Sequence, residues 1–376
     1  MKTKVPVVDL VRQYAALRQE LETAVLAAMA SGRYILGPEV EAFESEFAAY
    51  VGARHAVAVG SGTEALRLSL LAAGIGRGDE VITVSFTAVP TVAAIMAAGA
   101  RPVLVDIDPR TCTMDVEQAR AAVGPRTAAI VPVHLYGHPA DLGPLLELAG
   151  QRGLLLVEDA CQAHGSTYRG RRVGALGHVG CFSFYPTKNL GGMGDGGMVV
   201  TDDDSLARKL RMLRNHGQRR RFYHVYNSLN SRFDDLQAAA LRVKLRYLDA
   251  WNERRRHLAA FYRQSLAGLP LTLPEEMPWA GHNYHLFVVR VEERDSFRRR
   301  LARTGVDSDV HYPVPVHLQP AYRRLGYRRG ALPQSERAAE RVVTLPLFPE
   351  LTEAEAEAVV ESVQRALAVR PGSRSG

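Results

Sequence analysis

The sequence predicts an α/β fold: a mostly parallel sheet flanked by helices, followed by a smaller α+β segment. Three observations carry this. Between residues 57 and 157 short apolar runs alternate with helix-period segments, the pattern of a sheet with crossover helices. From 232 to 266 there is no Gly or Pro, and Leu236, Ala240, Val243, Tyr247, Trp251 and Leu258 hold one face, which reads as one long helix. Beyond it the pattern is mixed, strand-like over 284–291 and helix-like over 296–304 and 352–368. A large domain over 1–250 and a small C-terminal domain over 251–376 are therefore expected.

Taken in order, 10–30 places Leu17, Leu21, Val25, Ala28 and Met29 at helical spacing, and Gly32 ends this helix. A second helix reads over 38–50, with Pro38 at its start and Val40, Phe43 and Phe47 on one face. Strands at 57–59, 81–84, 102–105, 128–131 and 154–157 then alternate with helices at 63–73, 90–98, 116–123 and 142–150. The last of these strands stops at Glu158-Asp159, and positions just past such strand ends form the crevice where parallel sheets bind ligands. The tail, 371–376, is expected to be disordered.

Composition narrows the class. At 376 residues, with 47% apolar and 23% charged content, the chain fits a globular enzyme. The net charge of +7 is spread over Arg clusters at 219–221, 254–256 and 298–300. No aromatic-basic stripe, zinc-finger spacing or basic arm accompanies them, so nucleic acid is not an expected partner. The cysteines (Cys112, Cys161, Cys181) are odd in number and far apart, which points to a reducing cytoplasm rather than a disulfide framework. The N-terminal stretch lacks an apolar signal core, and no apolar run reaches membrane length.

The chemistry concentrates in 181–197, CFSFYPTKNLGGMGDGG. Of 47 basic residues only five are Lys, and Lys188 sits here, five positions after Ser183. Charge alone does not call for Lys in so Arg-rich a chain, whereas an amine that must lose its proton and attack a carbonyl does. Upstream, Val59-Gly60-Ser61-Gly62-Thr63-Glu64 ends a strand and starts a helix at Thr63. Free amides at such a start bind anions, phosphate above all, although an ordinary capped turn has the same pattern. Asp159, at the end of a buried strand, needs a cationic or donor partner such as a protonated ring nitrogen. His164 lies near it in sequence, but no second His or Cys stands at ligand spacing, so no metal site is expected. The stretch 192–197 formally fits GxGxxG, yet an apolar strand follows it rather than a helix, which argues against a dinucleotide site. Its glycines read instead as slack that lets backbone pass close to a ligand. Taken together, the lysine, the buried acid and the phosphate-type helix start are what pyridoxal 5'-phosphate requires.

With those parts in place the sequence resembles the DegT/DnrJ/EryC1/StrS sugar aminotransferases, whose fold is that of aspartate aminotransferase. The likeness runs almost end to end, through GRYILGPEVEAFE (32–44), VGSGTEAL (59–66), PVHLYGHPAD (132–141), VEDACQAHG (157–165), FSFYPTKNLGGMGDGG (182–197), RNHGQ (214–218), NSRFDDLQAAALRVKL (230–245) and HYPVPVHLQPAY (311–322). The resemblance implies that Lys188 is the Schiff-base lysine, that Asp159 faces the pyridine nitrogen and that Gln162 faces the ring hydroxyl. It implies Gly62, Thr63 and Ser183 as phosphate ligands. Asn230 matches an asparagine that reaches the phosphate from a second subunit, which implies a homodimer with shared sites. Tyr185, Arg221, His311 and Tyr312 match positions that contact a nucleotide-linked sugar, with Arg221 standing where relatives usually have Lys.

One position departs from the pattern. After Ser85-Phe86-Thr87 many relatives carry an aromatic that stacks on the cofactor; here it is Ala88, so Phe86 or another group covers the ring, or that face is more open. Lys188 argues against the dehydratases of the same family, which carry His there. The lysine segment is closer to sugar-nucleotide enzymes than to those aminating cyclitol ketones. A cofactor-binding regulator would not require the whole lysine, aspartate and phosphate set. Within the aminotransferases the motifs are most similar to enzymes that use an amino acid, by family habit L-glutamate, to aminate dTDP-linked 3-keto-6-deoxy sugars; enzymes acting at C4 share much of the pattern.

Overall fold

The computed structural model describes residues 4–368. Helices α1 (Leu10–Ala30) and α2 (Pro38–Val51) come first. The expected alternation follows: β1 (His55–Val59), α3 (Gly62–Ala72), β2 (Glu80–Val84), α4 (Val89–Ala97), β3 (Arg101–Val105), α5 (Val116–Ala121), β4 (Thr127–Val131), α6 (Leu142–Arg152) and β5 (Leu155–Asp159). A short ribbon, β6 (Thr167–Tyr168) and β7 (Arg171–Arg172), leads to β8 (Val179–Ser183), β9 (Gly197–Thr201) and α7 (Asp204–Leu213). Next are a small hairpin, β10 (Gln218–Arg220) and β11 (Tyr223–His224), and the helices α8 (Asp235–Leu245) and α9 (Leu248–Ser265). The chain ends with β12 (Ala280–Gly281), β13 (Phe287–Arg290), α10 (Arg294–Arg303), α11 (Pro333–Arg341), β14 (Val342–Leu345) and α12 (Glu353–Ala368). The tail assigned to 371–376 lies outside the described residues.

The central sheet has seven strands in the order β1-β9-β8-β5-β4-β2-β3. Strands β3, β2, β4, β5 and β8 pair in parallel, as crossover helices require. Only β9 runs antiparallel to its neighbours, because the loop carrying Lys188 returns the chain directly from β8. Side chains alternate between the two faces: Ala56, Ala58, Phe182, Met198 and Val200 pack into one core, Val57, Val59, Cys181 and Val199 into the other. Burial on both faces explains why these strands read as continuous apolar runs. A separate core forms around β13 and β14 from Phe287, Val289, Leu345, Phe297 and Val359. Helix α9 spans the two, with Leu248 in the first core and Leu258 and Tyr262 in the second.

The single helix expected over 232–266 is two helices. Arg246 is still α-helical (φ −63°, ψ −23°), but Tyr247 opens to φ −101°, ψ −8°, and its amide bonds back three residues to the Lys244 carbonyl at 3.0 Å. No Gly or Pro marks the break. Both residues are drawn sideways onto α1, where Arg246 Nη2 lies 2.6 Å from Glu20 Oε2 and the Tyr247 hydroxyl donates to Glu20 Oε1. A long-range contact therefore ends α8, which local sequence does not record.

Candidate active site

The C-terminal ends of β1, β2, β4, β5 and β8 open on one edge of the sheet, around a cavity of ≈ 320 Å³. Gly62, Thr63, Asp159, Gln162, Ser183, Tyr185 and Lys188 all line it, although they are dispersed from position 62 to position 188 of the sequence.

Helix α3 begins at Gly62, one residue earlier than the sequence suggested, because Ser61 is the cap: its Oγ accepts from the Glu64 amide at 3.1 Å. The amides of Gly62 and Thr63 have no intrahelical acceptor and stand at the positive end of the helix dipole. A Cβ on Gly62 would lie 2.6 Å from Ser183 Cβ and 2.9 Å from Cys161 Sγ, so only glycine lets this turn approach the β8 end. Amides at a helix start with a hydroxyl beside them fit a phosphate group.

Strand β5 ends in two carboxylates with opposite duties. Glu158 is fully buried and faces away from the cavity. It accepts from His134 Nε2 at 3.0 Å and from the amides of Gly174, Leu176 and Gly177 at 2.7, 2.8 and 2.6 Å. Burial alone would raise its pKa; His134 and the amides outweigh that and hold it below the usual value. Asp159, 5% exposed, faces the cavity. Its Oδ1 accepts from the Cys161 amide at 3.2 Å and its Oδ2 from the Thr91 hydroxyl at 2.8 Å. Thr91 in turn meets Thr87 Oγ1 at 3.2 Å, and both threonines line the cavity. Neither was singled out from sequence. The available signal was that Thr91 is the only polar residue of α4, VPTVAAIMA.

Lys188 is half-buried in the cavity wall, its backbone amide held by the Tyr185 carbonyl at 2.9 Å. Burial lowers its pKa, and Cys161 and Asp159 act against that. Tyr185 stands at the mouth, 53% exposed. The glycines after Lys188 are not slack. A Cβ on Gly192 would lie 2.9 Å from Gln237 Oε1, and one on Gly197 would lie 2.3 Å from the Ser61 carbonyl. Helix α8 grips this loop, with Gln237 Oε1 accepting from the Met193 amide at 2.7 Å and Lys244 Nζ donating to the Gly191 carbonyl at 2.8 Å. The strand β9 follows the loop, as the argument against a dinucleotide site required.

Gln162 is fixed at both ends: Oε1 accepts from the Tyr136 amide at 2.7 Å and Nε2 donates to the Tyr312 hydroxyl at 3.1 Å. Burial pushes the Tyr312 hydroxyl up to about 12, against the pull of Gln162, so it keeps its proton. His311 places Nδ1 2.8 Å from Thr344 Oγ1, and its carbonyl accepts from the Tyr136 hydroxyl. Burial lowers its pKa against the nearby Asp309, and Lys188 lowers it further. His311 and Tyr312 do not line the cavity wall, Tyr312 meeting it only through Gln162, and Arg221 and Asn230 do not line the cavity of their own chain either. Arg221 is exposed at the β10–β11 hairpin, stacked on Phe222 at 4.9 Å, and Asn230 is exposed where it bridges Asn215.

Phe86 does not cover a cofactor. It is fully buried, edge-on to Tyr136 at 6.5 Å, and outside the cavity wall, which here is formed by Thr87, Ala88 and Pro90. His164 does not turn to Asp159; its ring packs against Phe182 and Phe184 at 5.4 and 5.9 Å, and burial lowers its pKa to about 3.

A helix start with a hydroxyl beside it, a buried carboxylate and a desolvated lysine in one cavity define a pyridoxal phosphate site on an aminotransferase fold. Comparison with known proteins agrees. The chain matches the DegT/DnrJ/EryC1/StrS aminotransferase family over residues 15–364 and belongs to it. It is 51% identical to a dTDP-3-amino-3,4,6-trideoxy-alpha-D-glucose transaminase of Streptomyces venezuelae, over 96% of each chain. Its structure superposes on that of S. venezuelae DesV in complex with a ketimine intermediate with a TM-score of 0.96 and 50% identity, covering 98% of this chain and 100% of that one. NtdA from Bacillus subtilis with bound cofactor PMP gives 0.90 and 33%, over 97% and 85%. The protein is thus a pyridoxal phosphate-dependent sugar aminotransferase.

Proposed function

We propose that this chain moves an amino group from an amino acid, L-glutamate by family habit, to a dTDP-linked 3-keto-6-deoxy sugar. The observation that carries the proposal is the convergence of Lys188, Asp159 and the Gly62–Thr63 amides on one cavity, in a chain 51% identical to a dTDP-sugar 3-transaminase. Pyridoxal phosphate, when bound, supplies an aldehyde to receive the amino group and a ring that draws electrons from the adjacent carbon. Gly62, Thr63 and Ser183 would hold its phosphate, Asp159 the proton of its ring nitrogen and Gln162 its ring hydroxyl.

Lys188 would hold the cofactor through its aldehyde. With its amine free, Nζ would carry one proton from the donor α-carbon to the former aldehyde carbon, and in the second half from that carbon to the carbon that was the sugar ketone. Burial favours the neutral amine this role needs. Tyr185, His311 and Tyr312 face the sugar nucleotide.

The working unit is a homodimer in the cytoplasm. Asn230 and Arg221 lie outside their own cavity, beside the exposed apolar side chains Phe222 and Leu229 (81% and 66% exposed), and they complete the site of a second copy. The three cysteines are free, and no helix among the described residues is long and apolar enough to cross a membrane. We take the chain as a large domain over 1–250 and a small one over 251–376, a division supported by the core around β13 and β14, most of whose residues follow position 250. The test is Lys188→Ala: the variant should bind the cofactor without the long-wavelength absorbance of the lysine-linked form and should not turn over. Full transamination by it would refute the role.

A further inference from the structure

His317, the second histidine of the HYPVPVHLQPAY stretch, is buried with both ring nitrogens engaged. Its Nδ1 lies 2.6 Å from Ser85 Oγ and its Nε2 lies 3.0 Å from Glu336 Oε1. Ser85 Oγ also accepts from the His317 amide at 3.2 Å, and the Ser85 carbonyl accepts from the Val316 amide at 2.9 Å. Glu336 Oε1 accepts from the Gly330 amide at 2.7 Å. A carboxylate at Nε2 requires a proton there, so in the neutral ring Nδ1 accepts the Ser85 hydroxyl proton.

Serine, histidine and glutamate in this order resemble a hydrolytic triad. Ser85 is nevertheless fully buried, its Oγ is occupied by His317 through both ring and backbone, and it does not line the cavity. It cannot reach a substrate carbonyl. The unit is instead a staple between segments 232 positions apart. Both segments run on into the active site. From Ser85 the chain reaches Thr87, which meets Thr91 and through it Asp159. From His317 it runs back to Tyr312, which meets Gln162.

We propose that His317 is a positioning residue: the Ser85–His317–Glu336 staple keeps the sugar-facing segment 311–317 in register with the cofactor-facing wall 85–91. This rests on the aminotransferase reading, and His317 itself touches no reacting atom. Removing one member of a buried set leaves the others unpaired, so the segments should loosen together.

The test uses the full chain carrying His317→Phe, with Glu336→Ala and Glu336→Gln as a second pair. In the cofactor-free protein, amide hydrogen exchange over 85–91 and 311–317 should quicken about 10-fold or more in His317→Phe, with the sheet core unchanged. In the holoenzyme the KM for the keto sugar nucleotide should rise about 10-fold, while the KM for the amino donor and cofactor retention stay within about 2-fold. Glu336→Ala should act in the same direction, and Glu336→Gln, which still accepts from Nε2, should restore most of the loss. Unchanged exchange in either segment, or equal losses for donor and sugar, would overturn the proposal. If the wild-type enzyme aminates no sugar nucleotide, the exchange result still decides the staple and only the functional reading fails. Should His317→Phe not fold, the Glu336 pair decides on the same two readouts.

Discussion

The Thr91 hydroxyl donates to Asp159 Oδ2 across 2.8 Å, inside the cavity and out of bulk water. That bond leaves Asp159 one fixed orientation, with the Cys161 amide on its other oxygen. Thr91→Val removes the donor and keeps the shape. Losing one buried hydrogen bond to a charged acceptor costs about 1.5–3 kcal/mol, so cofactor affinity should fall about 10-fold or more. Thr91→Ser should largely preserve it. Equilibrium titration of the cofactor-free proteins checks this.

Gly62 tests the phosphate end. An alanine there would place its Cβ 2.6 Å from Ser183 Cβ, and relief needs the β8 end to move. Overpacking of this kind costs about 1–3 kcal/mol. Gly62→Ala should keep its secondary structure by circular dichroism yet lose cofactor on gel filtration that the wild type retains.

Much of this geometry was legible in the sequence, and what was not has a common cause. Lys188 stood out because lysine is scarce, Asp159 because a carboxylate ends an apolar strand, and Gly62 because a strand, a tight turn and a helix follow in succession. Thr91, the break at Tyr247 and the His317 staple depend on partners far along the chain: Asp159, Glu20 and Ser85. Local periodicity contains no information about those partners. The loop after Lys188 was misread for the same reason, since its glycines answer to the close approach of Gln237 and Ser61.

The pH dependence of stability has one well-defined acid contribution. Arg12 holds Glu355 through paired bonds of 2.8 and 2.7 Å, joining α1 to α12, and Thr352 and Glu355 cap α12 reciprocally at 3.0 and 3.2 Å. The Arg12 bond lowers Glu355 from 4.5 to about 2, against the opposing effect of burial. A depressed carboxylate contributes stability that is complete above its unfolded value and is lost as pH falls through its folded one. Arg12 is 34% exposed, so solvent screening reduces the contribution to the order of 1 kcal/mol. Glu355→Gln should be less stable than wild type by about that amount at pH 7, and the gap should close between pH 4.5 and about 2 in urea unfolding series.

The central claim is amino transfer to C3 of a dTDP-linked deoxysugar, and the most direct measurement sets two acceptors side by side. The holoenzyme with L-glutamate should aminate the dTDP-linked 3-keto-6-deoxy sugar, and Lys188→Ala should not. The dTDP-linked 4-keto isomer should react at least about 100-fold more slowly in kcat/KM, a difference of about 2.7 kcal/mol in transition-state binding. Preference for the 4-keto isomer, or turnover of neither, would contradict the account.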